Sequence, residues 1–216
     1  MTRSLRAVRA ATAIAIIGLA GAAMAQQPPT GSQVKPKPKP QPQTAAPASS
    51  PQPLTLLGLR IPEKVAGLAH GEPHNFEKAS PGLGYSIEFM RPGWRKFVYI
   101  YDKKMKSIPD DPASDVLKKH FVEAIDEIFG MEKRGTYAKV SMKGEYNIDR
   151  SGRTRFVCSA FSYVHTQSAM ALDSYLCLTS WKNKFFKIRM TTPQKGDSRS
   201  EADKFAEAWI GVLWPS

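Results

Sequence analysis

Reactive residues are scarce in this chain of 216 residues: it holds two cysteines and four histidines, with no Cys-x-x-Cys, no Gly-x-Ser-x-Gly and no glycine-rich phosphate loop. Without a Cys-x-x-Cys there is no dithiol redox centre, and without a nucleophile elbow the commonest serine-hydrolase signature is missing. Without a phosphate loop there is no nucleotide engine. His70 and His74 have the spacing of a metal pair, yet Gly71 and Pro73 oppose a helix there and no third ligand follows, so both read as polar loop histidines. His120 falls on an apolar helical stripe and reads as a packed or boundary residue, and His165 reads as solvated at a hairpin tip. Asp110-Asp111 is read as helix capping, and the adjacent Asp126 and Glu127 diverge on a helix, so no paired-carboxylate site results. The residues imply no cofactor and no metal.

Long apolar runs are scarce too. The longest, Ala10 to Ala22, is about 13 residues, whereas a bilayer crossing takes roughly 20. Arg3, Arg6 and Arg9 precede it and Ala23-Met24-Ala25 follows, which is the pattern of an export signal spanning 1–25, cut before Gln26 and leaving no transmembrane segment. No cysteine adjoins it, which removes a lipoprotein anchor, and no paired arginine precedes the run, which favours the general secretory route.

Aromatic residues are absent from 26 to 53, where Pro, Gln, Ala, Ser and Thr surround the alternation Lys35-Pro36-Lys37-Pro38-Lys39-Pro40. Such a segment buries too little apolar surface to offset its ordering entropy and is expected to be a disordered linker, locally extended as polyproline II. Fully extended it would span roughly 85 Å at about 3.1 Å per residue. The Lys-Pro alternation resembles the periplasm-spanning spacer of TonB-type energy-transducing proteins.

The formal charge of +12 falls to +9 when the three signal arginines leave and to +6 when Lys35, Lys37 and Lys39 are assigned to the linker. The remaining 54–216 is long enough for one domain and is only moderately basic. An exported protein in the periplasm or outside the cell meets no genome, so nucleic acid is disfavoured; another envelope protein or an anionic envelope polymer fits better.

Both cysteines sit in strand-like runs. A hairpin centred between Gln167 and Ser168 opposes Cys158 to Cys177, and in an oxidising compartment the pair is expected to form a disulfide. It would close a loop of about 20 residues and contribute on the order of 3 kcal/mol.

Along the domain, Leu54 to Arg60 reads as one short strand and Ile61 to Ser80 as an irregular lead-in. Tyr85, Ile87 and Phe89 alternate with polar neighbours as in a strand, and Phe97 to Tyr101 is a strand with large residues on both faces. Asp111-Pro112 opens a helix whose stripe is Val116, Leu117, His120, Phe121, Ala124, Ile125, Ile128 and Phe129, ended by Gly130. Four strands follow: Thr136 to Tyr146, Arg153 to His165, Leu172 to Trp181, and Phe185 to Thr192. Ser198-Arg199-Ser200-Glu201 has the form of a capping box for a last helix with Ala202, Phe205, Ala206, Trp209, Ile210 and Leu213 on one face. Short connections make the sheet mostly antiparallel, so the expected fold is α+β: about six strands covered by two amphipathic helices.

This order resembles, at fold level, the family of the P subunit of the plant oxygen-evolving complex and the Ran-binding nuclear import factor of yeast, mostly binding or assembly factors. The runs Gly82-Leu83-Gly84-Tyr85 through Phe97-Val98-Tyr99-Ile100-Tyr101-Asp102 and Asp173-Ser174-Tyr175-Leu176-Cys177-Leu178 resemble an uncharacterised family of exported proteobacterial proteins, which implies no activity.

The candidate site is an aromatic and basic surface on the last hairpin. Leu176, Leu178, Phe186, Ile188 and Met190 are assigned to the helix-facing side, leaving Tyr175, Phe185, Lys187 and Arg189 on the other, with Lys182 and Lys184 at the turn and Trp94-Arg95-Lys96 nearby. Such a surface fits a sugar ring or an anion; it also fits a second apolar face covered by the other helix, with lysines at its edge. The expected role is a non-catalytic binding or accessory protein of the envelope, the alternative a periplasmic enzyme acting on an envelope substrate. The mature protein is expected to begin at Gln26, which N-terminal sequencing of material from the source cells checks; a start at Met1 would instead mean an uncleaved anchor.

Overall fold

The computed structural model describes residues 54–194 and 196–215; the signal segment and linker expected at 1–25 and 26–53 lie outside the described residues. In chain order the elements are β1 (Leu54–Leu56), β2 (Leu59–Ile61), β3 (Lys64–Val65), β4 (Leu68–Ala69), β5 (His74–Asn75), β6 (Tyr85–Arg91) and β7 (Trp94–Tyr101). Then come α1 (Asp115–Lys133), β8 (Tyr137–Arg150), β9 (Arg153–His165), β10 (Met170–Trp181), β11 (Lys184–Pro193) and α2 (Arg199–Leu213). The expected α+β class is observed. Seven strands form one antiparallel sheet in the order β5-β6-β7-β11-β10-β9-β8.

Two further hairpins, β1–β2 and β3–β4, replace the single strand expected over Leu54 to Arg60 and part of the irregular lead-in. Each turns through two consecutive residues with positive φ, Leu57-Gly58 and Ala66-Gly67, the backbone that matches the twist of a two-residue hairpin. The turn at Lys182-Asn183, also with positive φ at both residues, connects β10 to β11 in the same way.

Side chains along a strand alternate between faces, and here both faces are apolar. Phe186, Ile188 and Met190 join Phe89, Phe205 and Trp209 in one core cluster, under α2 and the small hairpins. Phe185, Leu176 and Leu178 join Leu117, Phe121 and Ile128 in the other, under α1. The indole of Trp209 packs on Phe186 and Phe89 with ring centroids 5.0 and 5.7 Å away. Each such fully buried large side chain contributes on the order of 1.5–3 kcal/mol. The register pairs Leu176 with Arg189 and Tyr175 with Met190. This corrects the face assignment: Leu176 and Leu178 share a face with Phe185, Lys187 and Arg189, and Tyr175 lies on the opposite one, because the alternation of β10 is displaced by one residue from that expected.

Both helix starts also differ from expectation. Asp111 Oδ1 accepts from the Ala113 amide, and the cap of α1 is Ser114, whose Oγ accepts from Leu117 N at 3.3 Å. The helix passes through Gly130 and ends at Lys133. At α2 the expected capping box does not form. Ser198 Oγ donates to Asp173 Oδ2 at 2.9 Å and shares a 2.6 Å hydrogen bond with the Tyr175 hydroxyl. Glu201 instead accepts from Lys96 Nζ at 3.0 Å and from Arg91 at 2.6 Å. Lys96 is 2% exposed, with its ammonium between the rings of Trp94 and Phe205 at 4.9 and 4.8 Å. An unpaired buried charge costs several kcal/mol, whereas a cap contributes about 1 kcal/mol, so the carboxylate goes to the lysine.

Cys158 and Cys177 are direct partners across β9 and β10 and form the expected disulfide, with Cα atoms 4.1 Å apart. Both are fully buried on the α2 face. Replacing both with Ala is expected to lower unfolding free energy by about 3 kcal/mol, read from urea titration. A loss below about 1 kcal/mol would show that the cross-link adds little to the packed hairpin.

Candidate functional site

The α1 layer is shorter than the sheet beneath it. It covers the end bearing Tyr101, Phe185 and Leu178. Beyond its last turn the same sheet face opens into a concavity of about 870 Å3 lined by Phe97, Tyr99, Tyr137, Tyr163, Arg189 and Thr191, with Met90, Arg95, His165 and Met170 around its mouth. Ligand clefts commonly fall between about 300 and 1,000 Å3. A smaller hollow of about 340 Å3 shares Tyr99, Tyr137 and Arg189 and runs on between the sheet and Met131 and Arg134 of α1.

Strand pairing assembles this floor from residues far apart in sequence. Phe97 of β7 stands directly across from Arg189 of β11, and Tyr99 across from Lys187. On the other side Tyr137 of β8 stacks on Tyr163 of β9, with centroids 4.0 Å apart and ring planes 15° apart. The Tyr163 hydroxyl lies 3.5 Å from Thr191 Oγ1, which is also 3.2 Å from Ser174 Oγ. Arg95 stacks on Phe97 at 5.1 Å and donates to Glu88 at 2.9 Å.

Arg189 differs from its neighbours. Lys184 is held by Asp102 at 3.2 Å and Lys187 by Glu127 at 3.4 Å. Arg189 is half-buried, its guanidinium carbon 5.8 Å from the centre of the Phe161 ring, and among the described residues it makes no ion pair. Its field acts on Tyr163: burial pushes that phenol up, but the guanidinium and the hydrogen bonds of Thr191, Ser174 and Arg189 together bring it below its ordinary 10.0. Tyr137, stacked on it, is pushed up to about 12 by burial and by the neighbouring Tyr163.

Of the last-hairpin residues singled out from sequence, only Arg189 lines this cleft, and Lys187 lines the adjoining hollow. Tyr175 is on the opposite face; Phe185 is fully buried against His120; Lys184 is at the sheet end paired with Asp102; Lys182 is exposed over Trp181. Lys96 is likewise on the α2 face, whereas Arg95 reaches the cleft rim. His165, expected at a solvated tip, ends β9 at the cleft mouth with Nδ1 3.3 Å from Ser168 Oγ. Phe97, Tyr99, Tyr137 and Tyr163 were not picked out as site residues. Alternation along Phe97-Val98-Tyr99 was their visible signal; the pairing of β8 with β9 that joins the two tyrosines was not visible.

A second polar cluster lies under α1. His120, 5% exposed, places Nε2 2.7 Å from the Tyr101 hydroxyl and Nδ1 3.2 Å from Glu123 Oε2, which also accepts from Lys103 at 2.6 Å. A carboxylate only accepts, so Nδ1 carries the proton and Nε2 accepts from Tyr101. Burial lowers the His120 pKa against the opposing pull of Glu123, and burial raises Tyr101 well above 10.0. Among the described residues no group of three or more His, Cys, Asp and Glu side chains is placed to hold a metal, and no helix is long and apolar enough to cross a membrane.

No protein-family model and no curated protein matches this chain. Among solved structures, that of the Pseudomonas aeruginosa protein of unknown function PA94 is similar over 73% of this chain and 88% of that one, at 9% identity and a TM-score of 0.30.

Because the folded His120 resists protonation, the unfolded chain takes up a proton near pH 6.5 that the folded chain binds only at lower pH. Stability is therefore expected to fall as pH drops below about 6.5. Melting temperatures from pH 7.5 to 5 should decline less steeply in His120→Gln than in the wild type; equal slopes would remove His120 as the source.

Proposed function

We propose that the chain is an exported, non-catalytic binding module of the bacterial envelope, working in the periplasm or outside the cell, and that the uncovered sheet face is its contact surface. The observation that carries this reading is Arg189, a half-buried cation without an ion-pair partner among the described residues, set in an aromatic cleft that no carboxylate lines. A half-buried cation without an anion has lost part of its hydration, and a bound anion would offset that loss. The export pattern of residues 1–25 and the Cys158–Cys177 disulfide support an oxidising compartment. Within the cleft, His165 faces Ser168, but no acidic side chain among the lining residues orients the imidazole, so a hydrolytic triad is not assembled.

The test is in-cell cross-linking of the full chain in its source organism, followed by mass spectrometry of what is retained. Envelope components retained by the wild type are expected to be lost from Arg189→Glu and kept by Lys182→Glu, which changes an exposed turn. Equal retention by both variants would exclude the cleft as the contact surface.

A further inference from the structure

We propose that the cleft binds an anionic carbohydrate, with sugar rings lying on Phe97, Tyr99 and Tyr137 and a carboxylate or phosphate group of the same sugar on Arg189. The proposal rests on the reading of the cleft as the binding surface and names its ligand.

Phe97, Tyr99 and Tyr137 line the cleft and are each half-buried, with Arg95 over Phe97 at 5.1 Å, Lys187 over Tyr99 at 5.0 Å and Tyr163 stacked on Tyr137 at 4.0 Å, so each ring has one neighbour within the protein and part of its surface on the cleft. A pyranose presents an apolar C–H face to such a ring and leaves its hydroxyls at the edge. Beside these rings stand Thr191 and His165, with the hydroxyl of the buried Tyr163 3.5 Å from Thr191 Oγ1. Arg189, between the Phe97 side and the Tyr163 side, provides a planar fork of donors suited to a carboxylate or phosphate.

The charge of the wall decides between acidic and neutral sugars. Arg91, Arg95, Arg189 and His165 line the cleft and no Asp or Glu does, while Glu127 lines the adjoining hollow, where it is held by Lys187 at 3.4 Å. Arg91 and Arg95 are matched by Glu201 and Glu88 outside it, which leaves the single charge of Arg189 for a ligand. A neutral sugar would leave that guanidinium desolvated and unpaired.

The same geometry disfavours other classes of occupant. An extended peptide gains much of its affinity by adding to a sheet edge, but the floor strands β7, β11, β10 and β9 are interior, each paired on both sides. An acyl chain would bury the Arg189 guanidinium without an anion. Of the two free edges, β8 is interrupted by register shifts between Ala138 and Ser141, between Met142 and Gly144 and between Ile148 and Asp149, which break the ladder a peptide strand would follow. Met90 and Met170, 65% and 45% exposed at the mouth, supply an adaptable apolar rim through which a longer glycan can enter.

The experiment titrates the full chain calorimetrically with trigalacturonate, monomeric galacturonate, maltotriose and uridine monophosphate. Trigalacturonate is expected to bind and maltotriose to bind at least about tenfold more weakly, the loss of one charge-assisted contact. Arg189→Gln should lose about tenfold for trigalacturonate, and Arg189→Lys should retain part of the affinity, provided both variants keep the wild-type circular dichroism. Phe97→Ala should weaken the trimer more than the monomer if several rings are stacked. The monomer binding as well as the trimer would place a free acidic sugar, rather than a polymer, as the ligand source. Equal binding of maltotriose, preferential binding of uridine monophosphate, or no binding of either uronate overturns the carbohydrate assignment. In the last case Arg189-dependent retention of an envelope component would leave the cleft intact as the contact surface, and loss of both would remove the cleft itself.

Discussion

Everything in this fold follows from a sheet that is apolar on both faces. In β11, the central strand, Phe185 faces one way and Phe186 the other, and both are fully buried. Such a sheet is unstable in water unless each face is covered, and the chain supplies one helix for each. On one side α2 and the two small hairpins close over Phe89, Phe186 and Trp209, and the disulfide lies inside that layer. On the other, α1 has 19 residues, about 28 Å at a rise of roughly 1.5 Å per residue, and leaves the far end of β7, β11 and β9 uncovered. The cleft is the remainder of that mismatch.

Charges inside the sandwich obey the cost of desolvation. Lys96 draws Glu201 away from the helix cap, Lys187 draws Glu127 of α1, and His120 is held neutral between Tyr101 and Glu123. Each of these groups carries its own partner. Arg189 sits where the layer is open, beside a tyrosine whose hydroxyl it polarises, and carries none among the described residues. One strand thus serves both faces: Ile188 and Met190 hold the α2 layer, while Arg189 and Thr191 face the cleft.

Much of the fold was legible in the chain. The helical stripes at Leu117 to Ile128 and Ala202 to Leu213 carry the residues that are buried, because a repeat near 3.6 residues permits one apolar face. The hairpin bringing Cys158 against Cys177 was readable from its turn and from strict pairing arithmetic, since antiparallel partners keep a constant sum of positions. Helix starts were less legible: Asp111, Ser114 and Ser198 are all good caps, and which one acts depends on what else competes for it, as Asp173 and Tyr175 do for Ser198.

By itself the sequence determined the element types from Tyr85 onward, the antiparallel order of the last four strands, the disulfide and the presence of unusual basic and aromatic density on the last hairpin. Only the tertiary structure decided which face each of those residues takes. A strand with apolar residues on both sides carries no alternation to set its phase, so Tyr175 and Leu176 exchanged places relative to expectation. Only tertiary structure, too, joined Phe97, Tyr137, Tyr163 and Arg189 into one cleft, because their proximity is created by strand pairing across β7, β11, β10, β9 and β8 and by where α1 ends, and neither is written in any local run of residues.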